Sequence, residues 1–238
     1  MIEARKSPFF SQIFHYYNRR LLKKSFHHLY LNQQTDPIAT SPTLYIINHS
    51  SWWDGLITFY LTKTVIEQDC YAMMTEQGLT SFPFFRKIGG YSINKDNPKD
   101  VIKSLAYTKK LLKLAKGVWI FPQGKEEHLE KRPLLFQSGV SRLITQVPDL
   151  TVIPITFYYT FLHDQHPEVF ITIGEKLPRS TLDSFSSKQE MTHYLEQVVT
   201  DQLDRQKHEI ITAQFDQYEI LLRGNRTVSE KFQDFFGK

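Results

Sequence analysis

The chain has 238 residues, enough for one large domain or one domain with extensions, and 41% apolar residues supply a real core. Its formal charge of +4 is small and its cations are interspersed with acids along most of its length, which argues against a nucleic-acid footprint. One cysteine, Cys70, excludes an intramolecular disulfide and a zinc–cysteine cluster and suits a reducing cytosol. No window approaches the ~18 apolar residues of a membrane span, and the start, MIEARKSPFF, lacks the apolar stretch of a secretory signal.

The first exception to this even mixture is PFFSQIFHYYNRRLLKKSFHHLYL, residues 8–31, which contains no acid. At helical spacing Phe10, Ile13, Phe14, Tyr17 and Leu21 share a face, with Arg19, Arg20 and Lys23 away from it. Such a basic, aromatic, amphipathic helix suits a membrane interface, rings among headgroups and cations on anionic lipid. A helix packed on its own domain with solvated cations would read the same way. Residues 32–42, polar with two prolines, read as a linker.

Next comes LYIINHSSWWDG, residues 44–55. An apolar strand, Leu44 to Ile47, stops at Asn48 and His49, and Asp54 follows five residues after the histidine. In one continuous helix positions five apart diverge by about 140°, since each residue turns the chain by ~100°. The pair can meet only if His49 lies in a loop and Asp54 in the first turn of the next helix, with Ser50 or Ser51 as its cap. A histidine held by a carboxylate is the arrangement of a general base and its orienting partner. Among the nine histidines the same offset recurs only at His163 and Glu168, without a strand-then-turn setting.

Strand-like runs continue at 71–74, 91–93, 118–121, 152–158 and 169–173, with helix-like runs at 53–62, 82–88, 100–116 and 138–145. The helix over 100–116 follows Asn97-Pro98 and stops at Gly117. After strand 118–121 come Pro122, Gln123 and Gly124; the proline stops the sheet, and the glycine permits a tight loop. Ligands bind at such carboxyl ends of strands in α/β folds. Residues 188–222 read as one or two helices closing over the domain, with Tyr194, Leu195, Val198, Leu203, Ile210 and Ile211 as apolar positions. The predicted fold is α/β, a mostly parallel central sheet flanked by helices, with an amphipathic arm at 1–33, the main domain at 34–222 and a tail at 223–238.

Taken together, NHSSWWDG and FPQGKEE resemble the glycerolipid acyltransferase family, whose members include lysophosphatidate acyltransferase. Its first block, Asn-His-x4-Asp, is matched by Asn48, His49 and Asp54. Its second, a glycine and an apolar strand ending in a basic residue, is similar to Gly90 to Lys95, with lysine where arginine is usual. Its third, Phe-Pro-Glu-Gly-Thr-Arg-Ser, is matched by Phe121, Pro122 and Gly124, with Gln123 replacing the glutamate. Its fourth, an apolar run centred on proline, is similar to 152–155 around Pro154, and a downstream Phe-x-x-Gly is similar to Phe136 to Gly139.

The resemblance implies O-acyl transfer from acyl-CoA or acyl carrier protein, as co-substrate, to a lipid hydroxyl at the cytoplasmic face of a membrane, by a peripheral protein with no cofactor and no metal. His49 would take the hydroxyl proton and Asp54 would fix the imidazole tautomer; Asn48, Lys95, Phe121, Pro122, Gln123, Gly124, Lys125 and Pro154 would form the substrate site. This is the base-and-orienter logic of a serine triad with the nucleophile supplied by the substrate, and the chain has no Gly-x-Ser-x-Gly elbow. The departures bear on the acceptor. Lys125, Glu126 and Glu127 replace threonine, arginine and serine, and Glu126 would repel a phosphate that Lys95, Lys125, Lys131 and Arg132 would attract. A 1-acylglycerol-3-phosphate-like acceptor and an uncharged hydroxyl on a glycolipid or glycosylated carotenoid both stay open, as do a thioester hydrolase and a non-catalytic lipid-binding relative.

Overall fold

A computed structural model describes residues 1–36, 41–228 and 230–232. Its centre is an eight-stranded sheet: β1 (His28–Gln33), β2 (Thr43–Ile47), β3 (Cys70–Thr75), β4 (Gly90–Ile93), β5 (Gly117–Ile120), β6 (Thr151–Thr160), β7 (Glu168–Ile173) and β8 (Glu219–Arg223). The spatial order is β4-β3-β5-β2-β6-β7-β1-β8. All pairings are parallel except β6 with β7 and β1 with β8.

β2 explains why the sheet needs helices on both sides. All five of its residues are buried. Leu44 and Ile46 point into one core with α4 (Pro98–Lys113), α5 (Gly139–Gln146) and α7 (Lys188–Ile211). Tyr45 and Ile47 point into another with α2 (Asp54–Thr64) and the end of α1 (Pro8–Ser25). An unbroken apolar run reads as a strand covered on both faces, as parallel sheets require. α4 starts as its sequence dictates, with Asn97 accepting the backbone N–H groups of Lys99 and Asp100 and proline at the first helical position. The short helices α3 (Glu76–Ser81) and α6 (Arg179–Asp183) have no periodicity in the sequence to announce them, and 82–88 contains a 3-10 helix, Pro83–Ile88.

Two strands on one side of the sheet replace expected helix or arm. β1 falls inside the predicted arm, and β8 falls where helices were expected to continue. β1 pairs with β7, whose residues lie about 140 positions away in register Leu29 to Val169, so no local pattern marks it. α7 is one helix and ends at Ile211. Its buried positions include Met191, Leu195, Val199, Leu203 and Ile210; Ile211 is exposed, so the inward stripe is displaced from part of the expected one. Gln202 ties it to the sheet, donating to Thr156 Oγ1 at 3.1 Å and to the Thr172 carbonyl at 3.0 Å. Part of the expected linker, 37–40, and of the tail, 229 and 233–238, lies outside the described residues.

α1 is docked on the domain and still presents rings outward. Phe14 packs on Phe59 and Phe84, each with ring centroids 5.2 Å apart, and Asn18 donates to the Leu56 carbonyl at 2.9 Å. Its buried stripe is Phe14, Asn18 and Leu22, whereas Phe9, Ile13, Tyr16 and Tyr17 are exposed. The face expected from sequence is thus split, because Asn18 is drawn inward by its hydrogen bond. Among the described residues no helix is long and apolar enough to cross a membrane.

Candidate active site

The site forms at the carboxyl ends of β2, β5 and β6. After β2 the chain leaves the sheet at Asn48, which is buried and bonds β6 in both directions: its side-chain amide donates to the Phe157 carbonyl at 3.0 Å and its oxygen accepts the Phe157 N–H at 2.8 Å. Asn48 is therefore a clamp that fixes where the loop begins. Four donors converge on Asp54, the first residue of α2, whose side chain is fully buried. Its Oδ2 accepts from His49 Nδ1 at 2.7 Å and from the N–H groups of Ser50 at 2.8 Å and Ser51 at 3.0 Å. Tyr159, near the end of β6, donates its hydroxyl to Oδ1 at 2.5 Å. With a carboxylate as acceptor the proton sits on Nδ1, leaving the Nε2 lone pair to accept another. The His49 side chain keeps 21% exposure, so that nitrogen can be reached.

The serines play a different part from the expected one. Neither caps α2; Ser51 Oγ accepts the Trp53 N–H at 3.2 Å, and both contribute backbone donors to Asp54. Trp53 turns inward onto Phe26, ring centroids 5.0 Å apart, whereas Trp52 is exposed beside the site.

The loop after β5 supplies the opposite wall. The Phe121 ring lies against His49 with centroids 4.5 Å apart. Phe121 to Gly124 forms a turn closed by the Gly124 N–H on the Phe121 carbonyl at 2.9 Å, and Gly124 takes φ +70°, the left-handed region that glycine enters at little cost. Gln123 is buried, and its Oε1 accepts the His49 backbone N–H at 2.6 Å; the Glu127 N–H returns to the His49 carbonyl at 3.0 Å. Gln123 thus positions the histidine backbone. Pro122 is buried, its carbonyl accepting Gln137 N–H at 2.9 Å. Lys95 reaches across from the end of β4 to donate to the Gly124 carbonyl.

Of the residues singled out from sequence, Asn48, His49, Asp54, Lys95, Phe121, Pro122, Gln123, Gly124 and Lys125 gather at this edge. Pro154 does not: it is buried within β6, beside Ile46 of β2, below the level at which Asn48 meets Phe157. One residue was missed, and another was read only as a charge against phosphate. Tyr159 is one of three aromatic residues in a row in a strand, with nothing local to distinguish it from core. Glu126 has its Oε1 4.0 Å from His49 Nε2.

Burial and the Asp54 carboxylate push the Tyr159 hydroxyl well above the usual phenol range, so it is a donor throughout the working pH range. Tyr159→Phe is expected to cut kcat by about tenfold while leaving KM unchanged, and to lower stability by about 1 kcal/mol. Steady-state kinetics with a thermal melt would check this; an unchanged kcat would mean that the hydroxyl serves packing alone. Cys70 offers no nucleophile: it is buried, and desolvation raises its thiol to about 12.

The site therefore joins a histidine held by a buried carboxylate to a glycine turn, at the carboxyl edge of a helix-flanked parallel sheet. The acyltransferase family model matches residues 28–158, more than half of the chain, and the chain belongs to that family. No curated protein sequence matches. Among solved structures the chain is similar to the 1-acyl-sn-glycerophosphate (LPA) acyltransferase PlsC from Thermotoga maritima, with a TM-score of 0.62 at 14% identity over 83% of this chain and 79% of that one. That likeness shows a shared fold.

Proposed function

We propose that this acyltransferase moves a fatty acyl group from an acyl-CoA or acyl carrier protein thioester to a lipid hydroxyl. His49 Nε2 takes the hydroxyl proton as the oxygen attacks the thioester carbonyl, the C–S bond breaks, and the imidazolium returns the proton to the departing thiolate, releasing the free thiol. The observation that carries this reading is the 2.7 Å contact between His49 Nδ1 and the buried Asp54. It holds one tautomer and leaves the other nitrogen on the accessible side, where a positioned base is worth ~10²–10⁴ in rate. The exposed Phe9, Ile13, Tyr16 and Tyr17 of α1, with exposed Arg19, Arg20 and Lys24, form the surface that meets the cytoplasmic face of the membrane and lets the chain bind peripherally.

The acceptor we propose is of the 1-acylglycerol-3-phosphate type, its headgroup drawn to Lys95, Lys125 and Lys131. One observation favours the uncharged acceptor instead. Lys125 and Lys131 both bond Glu127, at 2.6 Å and 2.7 Å, and Arg132 and Lys207 bond Asp204 and Glu130. With Glu126 beside the base, these carboxylates neutralise the cations that a phosphate would need. Both readings meet in one assay: acyl-CoA or acyl carrier protein as donor, with 1-acylglycerol 3-phosphate, a neutral glycolipid or no acceptor, reading thiol release and lipid product. Product only with the lysophospholipid supports the first acceptor, and product only with the glycolipid supports the second. Thiol release that ignores the acceptor would make the protein a hydrolase, and none at all would leave a lipid-binding relative.

A further inference from the structure

At the opposite end of β1 from the linker, four side chains outside the active site crowd together. His27 and His28 follow α1, Glu168 opens β7, and Asp164 lies in the β6–β7 connection. His27 Nδ1 is 2.8 Å from Glu168 Oε1, 3.0 Å from His28 Nδ1 and 3.3 Å from Asp164 Oδ2, and His28 Nδ1 is 3.8 Å from Glu168 Oε1. His28 and Glu168 are more than nine-tenths buried, and both His28 Nε2 and Glu168 Oε2 are buried without a hydrogen-bond partner.

Hydrogen bonds alone satisfy this cluster poorly. A neutral imidazole has one N–H and one lone pair, so His27 Nδ1 can either donate its proton or accept one, yet it faces a carboxylate oxygen and another ring nitrogen at bonding distance. Two imidazoles and one carboxylate converge here, their three ligand atoms all lying within 4.8 Å of one another. The spacings have another natural reading. A tetrahedral ion with bonds of about 2.0 Å has ligand-to-ligand edges of about 3.3 Å, and the separations of 2.8, 3.0 and 3.8 Å among His27 Nδ1, His28 Nδ1 and Glu168 Oε1 scatter around that value.

We propose that His27, His28 and Glu168 bind one divalent transition-metal ion of the zinc class. Two imidazole nitrogens with one carboxylate oxygen are a borderline donor set, suited to zinc with a fourth position left to water, and unlike the all-oxygen sets of calcium and magnesium. The ion would offset the buried Glu168 carboxylate. Its role would be mechanical. His27 N–H already bonds the Pro167 carbonyl at 2.9 Å, and Glu168 lies opposite Thr160 in the β6–β7 register, next to Tyr159. An ion there would join the α1–β1 corner to the end of the strand that presents Tyr159 to Asp54.

The test uses tag-free full-length protein stripped with a chelator and titrated with Zn²⁺ or Co²⁺. One equivalent per chain is expected, with the visible absorption of tetrahedral Co²⁺ and a raised Tm on loading. His27→Gln, whose side chain is 12% exposed and the least buried of the three ligands, is expected to weaken binding at least tenfold. His28→Gln is expected to abolish it. Absence of stoichiometric binding by the wild-type protein overturns the proposal, whatever the variants do. So does one equivalent bound equally well by wild type and His27→Gln, which would place the metal elsewhere.

Discussion

His49→Ala is expected to lower kcat by about 10³-fold or more while the protein stays folded. Removing a positioned general base forfeits ~10²–10⁴ in rate, and Glu126, 4.0 Å from His49 Nε2 on an exposed side chain, is not held by a partner such as Asp54 in its place. The fold should survive for a specific reason. The buried Asp54 carboxylate loses His49 Nδ1 but retains the N–H groups of Ser50 and Ser51 and the Tyr159 hydroxyl, so it is not left bare. The cost is one hydrogen bond and the contact with the Phe121 ring, on the order of 1 kcal/mol. Acyl-thioester turnover with acceptor present, together with a thermal melt and vesicle binding, would check this. Wild-type turnover in a folded variant would remove His49 from the chemistry.

Asp54→Asn is expected to be nearly as damaging to kcat, about 10³-fold, and more damaging to the fold than His49→Ala. The asparagine can keep its oxygen toward His49, Ser50 and Ser51 only by turning its NH2 toward Tyr159, whose hydroxyl must then reverse from donor to acceptor. The charge that steadies an imidazolium during proton transfer is lost in either arrangement, and the opposite one presents N–H to N–H and permits the wrong tautomer. With no exposure at this side chain, a mismatched donor costs ~1–3 kcal/mol. The double variant should be about as slow as either single one, since base and orienter act as a unit. Additive losses in the double variant would mean that the two residues work separately.

The legible parts of this molecule are those whose signal is local. β2 to β7 could be placed from short apolar runs, α4 from its Asn-Pro start, and the meeting of His49 with Asp54 from the argument that five residues must include a loop. The glycine turn after β5 was likewise readable. Pro154 illustrates the limit of motif reading: its neighbours match a family block, yet the register of β6 buries it beside Ile46, below the level of Asn48 and His49. Gln123 was expected at the acceptor and instead holds the His49 backbone through Oε1.

Taken alone, the order of amino acids determined a helix-flanked parallel sheet and a histidine–aspartate pair at the end of one strand, because periodicity, capping and short spacing act over a few residues. Only the tertiary structure decided that Tyr159 completes the carboxylate's shell from 105 residues away, that β1 and β8 extend the sheet, and that His27 meets Glu168 across 141 residues. Those contacts depend on strand order and register, which are set by how two cores pack on opposite faces of one sheet. No stretch of sequence encodes that alone.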